Sequence, residues 1–151
     1  MISVRVSPDP FDAGTEIAAL GRDGMGAVAS FTGIVRGGND EAGGGLTALT
    51  VEHYPAMTEA ALRVLAEEAT ARWSLGGVTV HHRIGRLVPG DPIVFVACAS
   101  AHRKDALEAC AFLIDRLKTD APFWKRESFA DGREVWVEAR ESDDTAATRW
   151  R

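Results

Sequence analysis

SAHRKDALEACAFLIDRLKTDAPFWKRE, residues Ser100 to Glu127, is the stretch on which the reading of this chain turns. Ala106, Cys110, Leu113, Ile114 and Leu117 recur at the spacing of one helical face, which predicts a helix with a single buried stripe. Ser100 is the expected N-cap and Pro122 the expected stop. Cations gather at both ends: His102, Arg103 and Lys104 at the start, Lys118 near the end, and Lys125 with Arg126 beyond the proline. A lysine in the last turn suits the helix dipole. Cationic side chains in the first turn oppose it, and an anionic ligand would account for them.

A chain of 151 residues, 46% hydrophobic and 26% charged, suits one globular domain that buries a real core. Its net charge of −5 argues against a nucleic-acid binder that works by bulk electrostatics. The charge is uneven, because His102 to Arg126 holds six Lys/Arg against four Asp/Glu. That is the pattern of a local anion site on an acidic body. MISVRVSPDPFDAG at the start has no basic segment followed by an apolar run, and no stretch approaches the roughly 20 apolar residues needed to span a bilayer, so a cytoplasmic protein is expected. Cys98 in an apolar run and Cys110 on the helix stripe are expected as core thiols.

Outward from the helix, Ile2 to Val6 reads as a short strand, Asp12 to Leu20 as a short helix and Ala27 to Arg36 as a strand. GGNDEAGGG, Gly37 to Gly45, has five glycines in nine positions and is expected to be a mobile loop. It lacks the Gly-Lys-Ser/Thr of a phosphate-binding loop. It is either a plain hairpin connection or a lid. Leu46 to Tyr54 reads as a strand, and Pro55 opens a helix to about Trp73 with Met57, Ala61, Leu65 and Ala69 on one face. Strands follow at Val78 to Ile84 and Ile93 to Ala99, around a turn at Pro89-Gly90-Asp91, and a last one at Arg133 to Ala139. This order predicts a single α+β domain over residues 1–151, helices packed on a mixed or antiparallel sheet, with a polar tail at 141–151 that is either a docked helix or a frayed end.

Lys118 and Lys125 are the first candidates for chemistry. A turn of Pro122 with Phe123 and Trp124 can fold the second lysine back beside the first. Ammonium groups held close disfavour one another's protonation, which suits a lysine to serve as acid, base or nucleophile. The plainer reading of the same spacing is a helix cap and a solvated lysine. Arg36, at the end of an apolar strand, is placed where binding residues are often held, or simply faces solvent. His102 and Arg103 can offer charge-assisted donors to a phosphate beside helix N-terminal amides, or be ordinary surface residues. His53, His81 and His82 lie on predicted strands with no metal-ligand spacing, so neither a metal nor another cofactor is expected. In a continuous helix His102 and Lys118 stand about 24 Å apart. One small anion cannot touch both within a subunit, so they serve different sites or a symmetric dimer joins them.

Taken together, FTGIVR (Phe31 to Arg36), LTVEHYPAMTEAAL (Leu49 to Leu62), RWSLGGVTVHHRIGRLVPGD (Arg72 to Asp91), SAHRKDALEA (Ser100 to Ala109), LKTDAPFWKRE (Leu117 to Glu127) and WVEARESD (Trp136 to Asp143) resemble the catalytic, large subunit of molybdopterin synthase. The resemblance covers nearly the whole chain. It implies an α/β hammerhead-type fold and conversion of cyclic pyranopterin monophosphate into molybdopterin by insertion of two sulfurs as a dithiolene, without a metal at this step. It implies a small ubiquitin-like partner whose C-terminal Gly-Gly ends in a thiocarboxylate, and a homodimer carrying one small subunit at each end, a heterotetramer overall. Carried onto matching positions, Lys118 is the principal catalytic lysine and Lys125 its partner, while Arg36, His102 and Arg103 fall where the family binds the pterin and its phosphate. Ile34 sits at a position that varies in the family, Leu107 replaces an often aromatic residue, a core-volume change that should be tolerated, and the glycine-rich loop departs from the family in length and composition.

Two readings compete with this one. A non-catalytic module that binds an anion or an acidic peptide tail would also use paired lysines beside aromatics. A phosphoryl-transfer enzyme is disfavoured by the missing metal ligands and phosphate loop.

Overall fold

In chain order the computed structural model runs β1 (Ile2–Ser7), α1 (Ala13–Leu20), β2 (Ala27–Ile34), β3 (Asn39–Asp40), β4 (Gly44–His53), α2 (Met57–Arg72), β5 (Leu75–Arg83), β6 (Gly85–Leu87), β7 (Pro92–Ser100), α3 (Arg103–Asp120), β8 (Phe123–Phe129), β9 (Glu134–Trp136) and α4 (Glu141–Thr148). Residues 1–22, 24–40, 44–137 and 141–150 are described, those at 39, 40, 141 and 142 by their backbone alone. The first sheet has the order β1-β5-β7-β2, with β1 parallel to β5 and the other pairs antiparallel. The second joins β3, β4, β8 and β9 in that order, with β6 on the free side of β4.

Strand β7 explains how the layers form. From Val94 to Ser100 every residue is buried, which requires both faces of the strand to be covered. Val94, Val96 and Cys98 point into the main core, where they meet Leu62, Leu65 and Ala69 of α2 and Ala109, Leu113 and Leu117 of α3. The alternate residues Phe95, Ala97 and Ala99 point the other way, against Leu20 and Ile17 of α1. Close approach there needs glycine. A Cβ on Gly77 of β5 would sit 2.6 Å from Leu20 Cδ2. A third cluster, Val35, Leu49, Val51 and Leu87, fastens the second sheet to the end of β2. Cys98 and Cys110 are buried free thiols, and burial raises both above the ordinary thiol range, Cys110 to about 11.

The mixed α+β architecture on two long helices matches expectation, and several details differ. Ser100 does not cap α3: it ends β7, donates its hydroxyl to the Ser74 carbonyl and accepts from the His102 amide, while His102 is the extended N-cap residue. Helix α2 begins at Met57 rather than Pro55, because the Met57 amide bonds back to the Pro55 carbonyl around Ala56, whose φ is 68°. Its buried face is Thr58, Leu62, Leu65, Ala66 and Ala69, with Met57 exposed. The segment 123–129, expected as a turn and connection, is a full strand, and the last strand is shorter than expected, Glu134 to Trp136, with residues 138 and 139 outside the described residues. Within the expected loop at 37–45, Asn39 and Asp40 pair with Gly45 and Gly44 in a short ladder, and residues 41–43 lie outside the described residues. The tail contains α4, which docks: Trp150 donates Nε1–H to Asp115 at 2.7 Å and sets its ring edge-on against Trp73 and Phe112. No described helix is long and apolar enough to cross a membrane.

Candidate active site

Strand β8 builds the site by simple alternation. Phe123, Lys125 and Glu127 share one of its faces, and all three line a cavity of about 560 Å³. Trp124 and Arg126 point the other way, Trp124 against Tyr54 at 5.0 Å between ring centroids and Arg126 over Trp136 with Glu134 beside it. The basic pair Lys125-Arg126 is therefore split, and one member alone serves the cavity. Opposite β8 the wall is the last turn of α3, which contributes Leu117 and Lys118. The chain reverses through Ala121-Pro122, and both lysines line one cavity. The agent is a strand rather than an aromatic turn, and of the two aromatics only Phe123 faces the cavity.

Arg36 enters from the end of β2. Its predecessor Val35 is buried and held by backbone hydrogen bonds to Asp91 and from Gly90, so the turn that was read from Pro89-Gly90-Asp91 fixes the arginine at the cavity wall. Among the described residues neither Arg36 nor Lys118 has an ion-pair partner, whereas Arg116, two residues back on another face of α3, is neutralised by Glu68 and Asp120. The cavity thus combines three cationic side chains with the carboxylates of Glu127 and Asp143. It favours an anionic ligand of small-molecule size.

His102 and Arg103 are not part of this arrangement. Both are exposed at the start of α3, and α3 is unbroken to Asp120, which leaves them about 24 Å from Lys118. Within one chain the five candidates form two groups, one inside the cavity and one at the far end of the helix.

The sequence reading missed His82. Consecutive histidines on β5 point to opposite faces, as strand geometry requires. His81 sets its ring against Phe11 and lies opposite Phe95 in the β5–β7 register, whereas His82 stacks on Phe123 at 3.8 Å and lines the cavity. Burial lowers His82 to about 3, the nearby charge of Lys125 adds to this, and its hydrogen bond to the Arg83 carbonyl opposes it. His81 falls to about 4 through burial, with Arg5 and Arg83 contributing. Both imidazoles are neutral at physiological pH. Composition carried another unused signal: the chain has three lysines among seventeen cations, and two of the three are in the cavity.

The sequence model of the family described as MoaE protein matches residues 6–120. The molybdopterin synthase catalytic subunit of Escherichia coli (strain K12) is 58% identical over 146 residues, covering 96% of this chain and 95% of the relative. Among solved structures, the molybdopterin biosynthesis MoaE protein from Burkholderia ambifaria MC40-6 superposes with a TM-score of 0.82 at 48% identity, over 99% of this chain and 98% of that one. A protein-protein complex of subunits 1 and 2 of molybdopterin-converting factor from Helicobacter pylori 26695 contains a chain that shares the fold, with a TM-score of 0.71 at 20% identity over 92% and 91% of the two chains. By fold and by sequence over almost its entire length, the chain belongs to the MoaE family of molybdopterin synthase catalytic subunits.

Proposed function

We propose that this chain transfers sulfur from the thiocarboxylated C-terminus of a small ubiquitin-like subunit to cyclic pyranopterin monophosphate, forming the dithiolene of molybdopterin in the cytoplasm. The observation that carries the reading is the convergence of Arg36, Lys118 and Lys125 on one cavity. Two anions, the thiocarboxylate and the cyclic phosphate, must come within bonding distance there, and the three cations offset their repulsion. Opening the cyclic phosphate leaves an oxygen that needs a proton. Lys118, at the rim on the end of α3, is placed to donate it, and Lys125 on the floor holds the departing charge. A terminal Gly-Gly tail is narrow enough to thread to the cavity floor, and the complex named for the Helicobacter relative supports a two-subunit assembly.

His102 and Arg103 enter through a second copy of the chain. Strand β2 is the edge of the first sheet and exposes Phe31 and Ile34, and a shallow apolar groove beside it is lined by Ala29, Phe31, Leu107 and Ile114. A homodimer formed along this edge supports delivery of the start of one α3 to the cavity of the partner, where His102 and Arg103 bind the phosphate of the pterin. With one small subunit on each cavity the assembly is a heterotetramer. The test is direct: the purified chain is mixed with a thiocarboxylated small subunit and cyclic pyranopterin monophosphate, and dithiolene pterin is assayed. Formation of the product supports the reading. A folded complex that leaves the pterin unchanged refutes it.

A further inference from the structure

Helix α4 carries a carboxylate on the side by which it docks. Asp143 and Ala147 stand at i and i+4, so they share one side of the helix. Ala147 is fully buried, and just beyond it the Trp150 indole is fixed by Asp115, Trp73 and Phe112. One turn earlier, where a helix docked for stability alone would place an apolar residue, Asp143 faces the cavity of Arg36, Lys118 and Lys125. Its neighbour Asp144 is exposed. Asp143 is half-buried and makes no hydrogen bond or ion pair among the described residues, although cations line the same cavity. The helix dipole favours a carboxylate near the start of α4, but Asp144 meets that preference from the solvent side.

We propose that Asp143 recognises the pterin: its two carboxylate oxygens accept the ring N3–H and the 2-amino N–H of the aminopyrimidinone edge. The inference rests on the substrate proposed above. That substrate is a rigid fused-ring molecule with a cyclic phosphate at one end and the aminopyrimidinone at the other, so its cavity needs cations and, on a separate element, a paired acceptor. The two N–H groups lie side by side in one plane, the fork that a guanidinium also offers, and a carboxylate supplies two acceptors to match it. Glu127 is the other carboxylate of the cavity, but it stands two residues from Lys125 on the same face of β8. Asp143 arrives on a helix that carries none of the cavity cations.

The test compares pterin with lumazine, which carries a carbonyl in place of the 2-amino group. Each is titrated into the full chain and followed by its own fluorescence. Pterin should bind about tenfold more tightly, because lumazine loses one charge-assisted hydrogen bond and turns a carbonyl oxygen toward the carboxylate. Asp143→Asn should reverse the preference, since an amide accepts from N3–H and donates to the lumazine carbonyl. A residue that only supports the helix would shift both probes alike. Asp144→Asn should behave as the parent. In the sulfur-transfer assay Asp143→Asn should raise KM about tenfold and leave kcat within about twofold. A parent that binds both probes equally, or neither, overturns the proposal without any variant, and so does a folded Asp143→Asn protein that keeps the parental preference. If the preference reverses as expected but the parent forms no dithiolene, the proposed function fails and the pterin site stands.

Discussion

Acidification from pH 7 to pH 5 should weaken the fold through His81 and His82. In the unfolded chain each imidazole takes the ordinary value of 6.5, whereas in the fold His81 is held at about 4 and His82 at about 3. Between those limits the unfolded state binds more protons than the folded state. Stability is therefore full above about pH 7 and falls as the pH drops through 6.5 toward 4. At pH 5 protonation stabilises an unfolded imidazole by about 2 kcal/mol and the buried one by less than about 0.1 kcal/mol, so the two histidines together remove about 4 kcal/mol. That is a large share of the 5–15 kcal/mol typical of a domain.

Urea unfolding at the two pH values measures this loss. With a slope of about 2 kcal/mol per molar, the midpoint should fall by about 2 M. His81→Phe isolates one half: neither nitrogen of the His81 ring has a hydrogen-bond partner among the described residues, Phe11 packs against it and Phe95 is its register partner on β7, so an apolar ring fits the chemistry of the site. The variant should lose about half of the pH dependence while staying within about 1 kcal/mol of the parent at pH 7. Asp131, whose carboxyl is held below its usual value by hydrogen bonds from Arg133, loses its contribution below about pH 4 and does not overlap this window. A midpoint that does not move between pH 7 and pH 5, or a His81→Phe protein with the full parental slope, would refute the reasoning.

Lys118→Ala should abolish sulfur transfer in the reconstituted assay while changing the unfolding free energy measured in urea by less than about 0.5 kcal/mol, because the side chain is exposed at a helix end. Lys125→Ala should reduce turnover strongly without eliminating it. His102→Ala and Lys118→Ala, each inactive alone, should regain at most about half the parental activity per dimer when co-expressed, and verified mixed dimers with no recovery would confine the site to one chain. Trp150→Ala removes the indole held by Asp115, Trp73 and Phe112 and should cost about 2 kcal/mol in urea unfolding, with faster amide exchange confined at first to α4.

The elements legible in the sequence were those whose burial is one-sided and periodic. The stripe of α3 falls on Ala106, Cys110, Leu113 and Leu117 as read, because the helix presents one face to the sheet and the other to solvent. Strand β8 defied the same treatment. In FWKRESF the apolar and charged residues do not alternate, since the charged Lys125 and Glu127 face a polar cavity on the same side as Phe123 while Trp124 lies outside. Helix α4 carries no apolar stripe at all; it is held by Ala147 and by the Trp150 ring beyond its end, which periodicity does not register. Arg36, Lys118 and Lys125 could be singled out because charge next to a structural boundary is visible in one dimension. His82 could not, because its meaning depends on the ring stacked beneath it and on the carbonyl that fixes its proton.

The division of the five candidate residues into two groups follows from how α3 is anchored. Ala106, Ala109, Cys110, Phe112, Leu113 and Leu117 are buried along its length, so any bend that carried Arg103 toward Lys118 would strip that stripe from the sheet. Uncovering even two such side chains costs about 3–6 kcal/mol, more than a charge-assisted hydrogen bond to a phosphate returns. The helix therefore stays straight, and its two ends act on different cavities or on different ligands. In the dimer proposed above, a two-fold axis along the exposed edge at β2 would make those cavities equivalent. In the proposed dimer each substrate is held by the end of one α3 and the beginning of the other, so neither chain alone carries a complete site.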